Sequence, residues 1–114
     1  MPESKDLHYL KDIHVSAERV ISYTLGMDFE QFDLDHKTQD AVVRNLEIIG
    51  EATKNLSPEV REAYPDIPWK DMAGMRDVMI HQYFGVNNEI VWTISKDELP
   101  LLLKNIDIIL SSGE

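Results

Sequence analysis

The chain contains no cysteine, so neither disulfides nor thiolate metal centres can hold its fold. That absence suits a reducing compartment, and a cytoplasmic location is expected. Basic residues are also scarce: 11 Lys and Arg face 21 Asp and Glu, a formal net charge of −10. Non-specific affinity for nucleic acid comes largely from cations that release counterions at phosphates. The charge therefore argues against a general nucleic-acid binder, and any action on RNA needs a local positive site or a confined groove. The same acidity would suit a docking face for a basic protein partner. No apolar run approaches the length of a membrane span, and the first six residues, MPESKD, are charged without an apolar core. Neither a signal peptide nor a membrane partner is expected. Alternating strand patterns are missing throughout.

What remains is an ordinary soluble composition, 43% hydrophobic and 28% charged over 114 residues. One domain is expected, large enough to bury roughly two-thirds of its unfolded surface. Leu7, Leu10, Ile13, Ala17, Val20, Ile21 and Thr24 recur at three- and four-residue steps, predicting an amphipathic helix over residues 5–25 that Gly26 stops. Residues 28–35 read as an acidic turn segment with two aromatics, Phe29 and Phe32. A second long helix is predicted over 36–56, with Val42, Leu46, Ile49, Thr53 and Leu56 on one face. Val43 and Ile48 lie on another side, so this helix should have two neighbours, centrally or at a subunit contact. Its Gly50, like Gly74 further on, should mark a close helix approach.

Ser57-Pro58-Glu59 predicts a short helix with Ser57 as N-cap, ending before a stiff Pro65-Asp66-Ile67-Pro68 connector. Residues 69–83 follow as the most apolar helix, ended by Gly85. Asn87-Asn88-Glu89 opens another short helix through Ile94. Ser95 is expected to cap a last one, with Asp97 and Glu98 near its positive end. There Leu99, Leu102, Leu103, Ile106, Ile109 and Leu110 supply a core face. The fold class is all-α, an up-and-down bundle of four or five helices.

Chemistry concentrates in Arg76-Asp77-Val78-Met79-Ile80-His81-Gln82-Tyr83. On a helix, Asp77 and His81 are four apart and share a face, and Arg76 and Tyr83 return to a similar face after nearly two turns. A titratable imidazole, a carboxylate able to hold one ring N–H, a fixed cation and a phenol thus fall within two turns. The set suits acid/base work on a phosphodiester, with Arg offsetting charge on phosphoryl oxygens. The plainer reading is a surface salt-bridge pair. Polar groups inside so apolar a helix are costly unless paired or used, which favours the functional one.

Several separated segments together resemble the HepT-type HEPN proteins: Arg44-Asn45-Leu46-Glu47-Ile48-Ile49-Gly50-Glu51-Ala52, Ile67-Pro68-Trp69, Met72-Ala73-Gly74-Met75-Arg76-Asp77, His81-Gln82-Tyr83-Phe84, Val91-Trp92 and Leu99-Pro100. The resemblance implies a HEPN-like homodimer whose Arg-x4-His helices face each other across a cleft. It implies a metal-independent endoribonuclease, the toxin of a toxin–antitoxin pair, that needs no cofactor. The implied partner is an MNT-type nucleotidyltransferase antitoxin that uses ATP to place AMP on a tyrosine. Carried onto this chain, Arg76 and His81 would be catalytic, Asp77 supporting, and Tyr83 the site of AMPylation. Two-fold symmetry would bring a second His81 to the cleft, so that one imidazole acts as base and its mate as acid. A narrow cleft would select single-stranded ends or loops, as in a transfer RNA, over duplex.

Other candidates carry two readings each. His8 with Asp12, and His14 with Glu18, are i,i+4 pairs, either surface pairs or the start of a zinc site for which no further ligands are spaced. No metal is expected. Arg44, Glu47 and Glu51 form either a solvated ion-pair row or part of the cleft near Arg76. Trp69 and Trp92 could stack bases but are expected in the core. The acidic 28–35 segment is a solvated loop or an attractor for basic antitoxin residues. A rival to the nuclease is a non-catalytic helical subunit that binds and regulates a partner nucleotidyltransferase; a plain dimerisation module is a third reading.

Overall fold

A computed structural model describes the backbone of residues 4–81 and 87–112, and the side chains of 4–77 and 87–112. Helix α1 spans Ser4–Thr24 and buries Leu10, Ile13, Ala17 and Val20 completely. Its last residue, Thr24, is also buried and donates its hydroxyl to the Val20 carbonyl at 2.9 Å. Gly26 then turns the chain at φ 77, a left-handed conformation that suits glycine.

The next segment corrects the sequence reading. Residues 28–35 are not a solvated loop; they hold a helix, α2, over Phe29–Leu34. Asp28 and Gln31 make a reciprocal capping box: Asp28 Oδ1 accepts from the Gln31 N–H at 2.8 Å, and Gln31 Oε1 accepts from the Asp28 N–H at 2.9 Å. Phe32 is fully buried, with the Trp92 ring centroid 5.2 Å away. A capped turn with a core anchor outweighs the high local charge.

Asp35 closes α2 and opens α3 (His36–Lys54). Its carboxylate accepts from the Thr38 hydroxyl at 2.7 Å and the Thr38 N–H at 3.0 Å. Those two bonds, the hydroxyl first, hold its pKa below the ordinary Asp value. α3 buries Val42, Leu46 and Ile49 and packs most extensively on α1 and on α5 (Trp69–His81), with α2 alongside. It is the central helix, as its double apolar stripe predicts. Arg61 Nη2 donates to the Thr53 carbonyl at 2.6 Å and so satisfies one carbonyl at its C-terminal end.

Helix α4 spans Pro58–Ala63, with Pro58 at its start as expected. Ser57 does not cap it with its side chain. Instead, its N–H and hydroxyl both donate to Asp6, at 2.9 and 2.6 Å. A carboxylate from the start of α1 therefore ties down the exit of α3, which makes α1 and α3 antiparallel. Trp69 is buried and donates Nε1–H to the Tyr64 carbonyl at 2.9 Å, fixing the entry to α5.

Asn87 caps α6 (Asn88–Thr93), accepting from the Glu89 N–H at 2.8 Å. The helix does not stop and restart at Ser95. It continues through a π-helical turn, Ile94–Glu98, into α7, Leu99–Ser112. The physical reason is Pro100, which lacks an N–H and whose ring crowds the carbonyl four residues earlier. The turn widens just upstream, where the Leu99 N–H reaches back five residues to Ile94. Ser95, far from capping, is buried and donates to the Val91 carbonyl at 2.8 Å.

α7 buries Leu99, Leu102, Ile106 and Ile109 against α1. Lys96 Nζ meets the Thr24 carbonyl at 3.2 Å, and His14 meets Asp107 at 2.6 Å further along, so α7 runs antiparallel to α1. The fold is all-α, with no strand among the described residues.

A candidate active-site groove between three helices

The site is built from the contact of α3 with α5. At Gly50 the two backbones touch: a Cβ added there would lie 2.4 Å from the Arg76 nitrogen and 2.7 Å from its Cβ. Only glycine lets α5 come this close. The approach delivers Arg76 to the edge of a groove of about 380 Å³. It is lined by Tyr9 and Asp12 of α1, by Arg44, Glu47, Ile48, Glu51 and Ala52 of α3 with Asn55 beyond it, and by Arg76 of α5.

Arg76 is 38% exposed, and its Nε lies 2.6 Å from Glu51 Oε2. Its Nη1 is 3.8 Å from Asp77 Oδ1, which itself accepts from Lys54 Nζ at 3.2 Å. The result is a row of alternating charge, Glu51, Arg76, Asp77, Lys54. Arg44 pairs only loosely with Glu47, at 3.8 Å, and is 72% exposed, so that pair contributes little. Overall the groove carries two guanidiniums against the carboxylates of Asp12, Glu47 and Glu51.

The structure thus gathers Arg44, Glu47, Glu51 and Arg76, with Asp77 behind Arg76. His81 closes α5; its side chain lies outside the described residues, as do Tyr83 and the helix stop expected at Gly85. Four further residues were missed by sequence reasoning: Tyr9, Asp12, Lys54 and Asn55. Lys54 had a signal, since it stands three residues after Glu51 and four after Gly50 on the same helix face. Tyr9 and Asp12 had none, because which helix covers α3 is a tertiary fact.

The other candidates take their plainer roles. His8 lies 3.5 Å from Asp12, and His14 bridges Glu18 at 3.1 Å and Asp107 at 2.6 Å. Among the described residues no group of three or more His, Asp or Glu is arranged to hold a metal ion. Nor is any described helix long and apolar enough to cross a membrane. Trp69 is core; Trp92 is half-buried on Phe29 and Phe32, with Lys96 Nζ 5.3 Å from its ring centroid. Gly74 is a correction: among the described residues nothing lies within 4 Å of where its Cβ would be, so no described helix approaches it closely.

The sequence model of the family described as "Ribonuclease HepT-like" matches residues 13–109, a span that holds Arg44, Glu51 and all of residues 76–83. The chain belongs to the HepT-like ribonuclease family. Among the proteins similar to it is one from Methanocaldococcus jannaschii named "Putative RNase MJ0127", 44% identical over all of this chain and 94% of its own length. A protein of Thermococcus cleftensis named "Probable ribonuclease HepT" is 47% identical over 82% of this chain and 86% of its own. A third, from Caldanaerobacter subterraneus and named "Putative RNase TTE0752", is 48% identical over 90% of this chain and 91% of its own. No solved structure matches the chain.

Proposed function

We propose that this member of the ribonuclease family is a metal-independent endoribonuclease toxin, active as a homodimer in which two copies of the groove at Arg76 join into one cleft. The observation that carries the reading is Arg76 itself. Its guanidinium stands half-exposed at a groove wall, and among the described residues its terminal nitrogens make no hydrogen bond. A cation so placed suits the non-bridging oxygens of a phosphodiester.

In the proposed reaction the 2′-oxygen attacks phosphorus, and one His81 takes the 2′-OH proton. The bond to the 5′-oxygen breaks, and the partner's His81 gives that oxygen its proton. The products are a 2′,3′-cyclic phosphate and a 5′-OH. Arg76 stabilises charge on the phosphoryl oxygens as it builds. One imidazole must start neutral and the other protonated, so the rate should rise and then fall with pH. AMP on Tyr83, two residues from His81, would place a bulky anion at the cleft mouth and repel the incoming phosphate. The enzyme that attaches it is the expected MNT-type nucleotidyltransferase, and the substrate is single-stranded RNA, of which a transfer RNA end or loop is one form.

A growth assay with purified-protein controls tests this. Expression of the chain alone should arrest cells, and Arg76→Ala or His81→Ala should abolish the arrest. Purified protein should cut RNA to cyclic-phosphate ends in the presence of EDTA. Co-expressed nucleotidyltransferase should protect cells from wild type but not from Tyr83→Phe. One observation favours the rival, a non-catalytic subunit that regulates the nucleotidyltransferase: carboxylates outnumber guanidiniums in the groove. On that reading expression alone is harmless and no RNA is cut.

A further inference from the structure

Arg76 is held by α3 more closely than a surface arginine needs to be. Three residues of one α3 face meet two successive residues of α5. Gly50 admits the Arg76 backbone, Glu51 lies 2.6 Å from Arg76 Nε, and Lys54 binds Asp77 at 3.2 Å. We propose that Gly50 and Glu51 are positioning residues that preset the Arg76 guanidinium for phosphate. Gly50 sets how near α5 stands, and Glu51 sets how the guanidinium is turned. The inference rests on the reading above, in which Arg76 contacts the scissile phosphate.

Two features favour positioning over a plain ion pair. First, Glu51 makes its ion contact at the inner nitrogen of the guanidinium, at 2.6 Å. Among the described residues the outer Nη1–Nη2 edge, which matches two phosphoryl oxygens in a bidentate contact, makes no hydrogen bond, and Nη1 has only a looser contact with Asp77 at 3.8 Å. A pair formed only for Coulomb energy has no reason to avoid that edge. Second, Lys54 draws off the competitor. Asp77 Oδ1 sits 3.2 Å from Lys54 Nζ but 3.8 Å from Arg76 Nη1, so this neighbouring carboxylate is already engaged. The four-member row is neutral in sum, and an arriving phosphate adds its charge at Arg76 to a balanced set.

The pair itself should matter little to folding. Glu51 is 56% exposed and Arg76 38%, and exposed pairs add little to stability. Glu51→Ala should therefore leave the melting temperature within about 3 °C of wild type. A misplacement of about 1 Å in a reacting group can cost about a hundredfold in rate, so the same variant should lower kcat about 10- to 100-fold, with KM nearly unchanged. Glu51→Gln keeps an acceptor of the same shape and should stay within about fivefold of wild type on the same argument.

The deciding measurement is a double-mutant cycle on full-length protein with a short single-stranded RNA, read beside the Arg76 Nε–Hε NMR signal. In an Arg76→Ala background, Glu51→Ala should cost nothing further, because there is no guanidinium left to aim. The Arg76 signal should be present in wild type and Glu51→Gln and lost in Glu51→Ala. Gly50→Ala, which keeps both charged groups but forces the backbones apart, should shift the signal and lower kcat. An equal loss in both backgrounds, an unchanged rate, or a faster Glu51→Ala enzyme overturns the proposal; the last would mean that Glu51 competes with phosphate. If no protein cuts RNA, the nuclease reading has failed. The NMR signal still decides the positioning, and its persistence in Glu51→Ala would overturn that as well.

Discussion

Gly50 and Gly74 are the same residue type, each inside a long helix, and their surroundings give them opposite consequences. At Gly50 a methyl group would strike the Arg76 backbone at 2.4 Å; at Gly74 it would meet nothing within 4 Å among the described residues. Glycine inside a helix is less favourable than alanine by about 0.5–1 kcal/mol, through the freedom it regains on unfolding. Gly74→Ala should therefore raise unfolding stability by about that amount in a denaturant titration. A loss instead would mean that another chain packs on that face. The sequence marks both glycines as departures from helix preference but cannot say which one a neighbour touches. The same limit applies to Arg44, Glu47 and Glu51. Their spacing reads as one ion-pair row, and Arg44 and Glu47 do pair loosely at 3.8 Å. Glu51, one turn on, turns instead to a residue 25 positions away in the chain, and no local periodicity encodes that choice.

At the scale of elements, the long helices were legible because apolar residues at three- and four-residue steps leave little alternative. The short ones depended on caps. α6 was readable from Asn87, whereas α2 was hidden by its charge: four of the eight residues from 28 to 35 are acidic. The sign that was present, Asp28 three residues before Gln31, is a capping box, and only Phe32 in the core makes it decisive. Asp35 serves two helices at once, ending α2 with its N–H on the Phe32 carbonyl and capping α3 through Thr38. Because those bonds favour the carboxylate, its folded pKa lies below its unfolded one. The stability it lends is then complete above the ordinary Asp range and is lost as pH falls through the lowered folded value. Asp35→Ala should melt below wild type by a constant margin from neutral pH down to about pH 5, and the margin should narrow below about pH 4. A margin that stays constant to pH 2 would mean that the cap's ionisation does not matter.

At the scale of the whole molecule, a net charge of −10 must coexist with a polyanionic substrate. Composition alone favours a partner-binding subunit, and it was the motif at residues 76–83 with its family resemblance that pointed the other way. The groove suggests how both can hold. Its cations are few and local, Arg76 paired on its inner side and Arg44 loosely paired at the far end, so contact with RNA should be confined to a few phosphates. On single strands log K falls with log salt by about 0.7 for each phosphate neutralised. At alkaline pH, where the imidazoles are neutral, two such arginines from each of two protomers set an upper bound of four, hence a slope no steeper than about −3. Binding of a non-cleavable 2′-O-methyl oligonucleotide between 50 and 200 mM salt should fall within that bound, about a sixtyfold loss at most. Arg44→Ala should make the slope shallower by about 0.7 for each Arg44 that meets a phosphate. A much steeper slope would require a basic surface beyond the groove, one that 11 basic residues among 21 acidic ones do not readily supply. In that case the extra cations would have to come from residues outside the groove, and its confinement would no longer explain how so acidic a chain engages RNA.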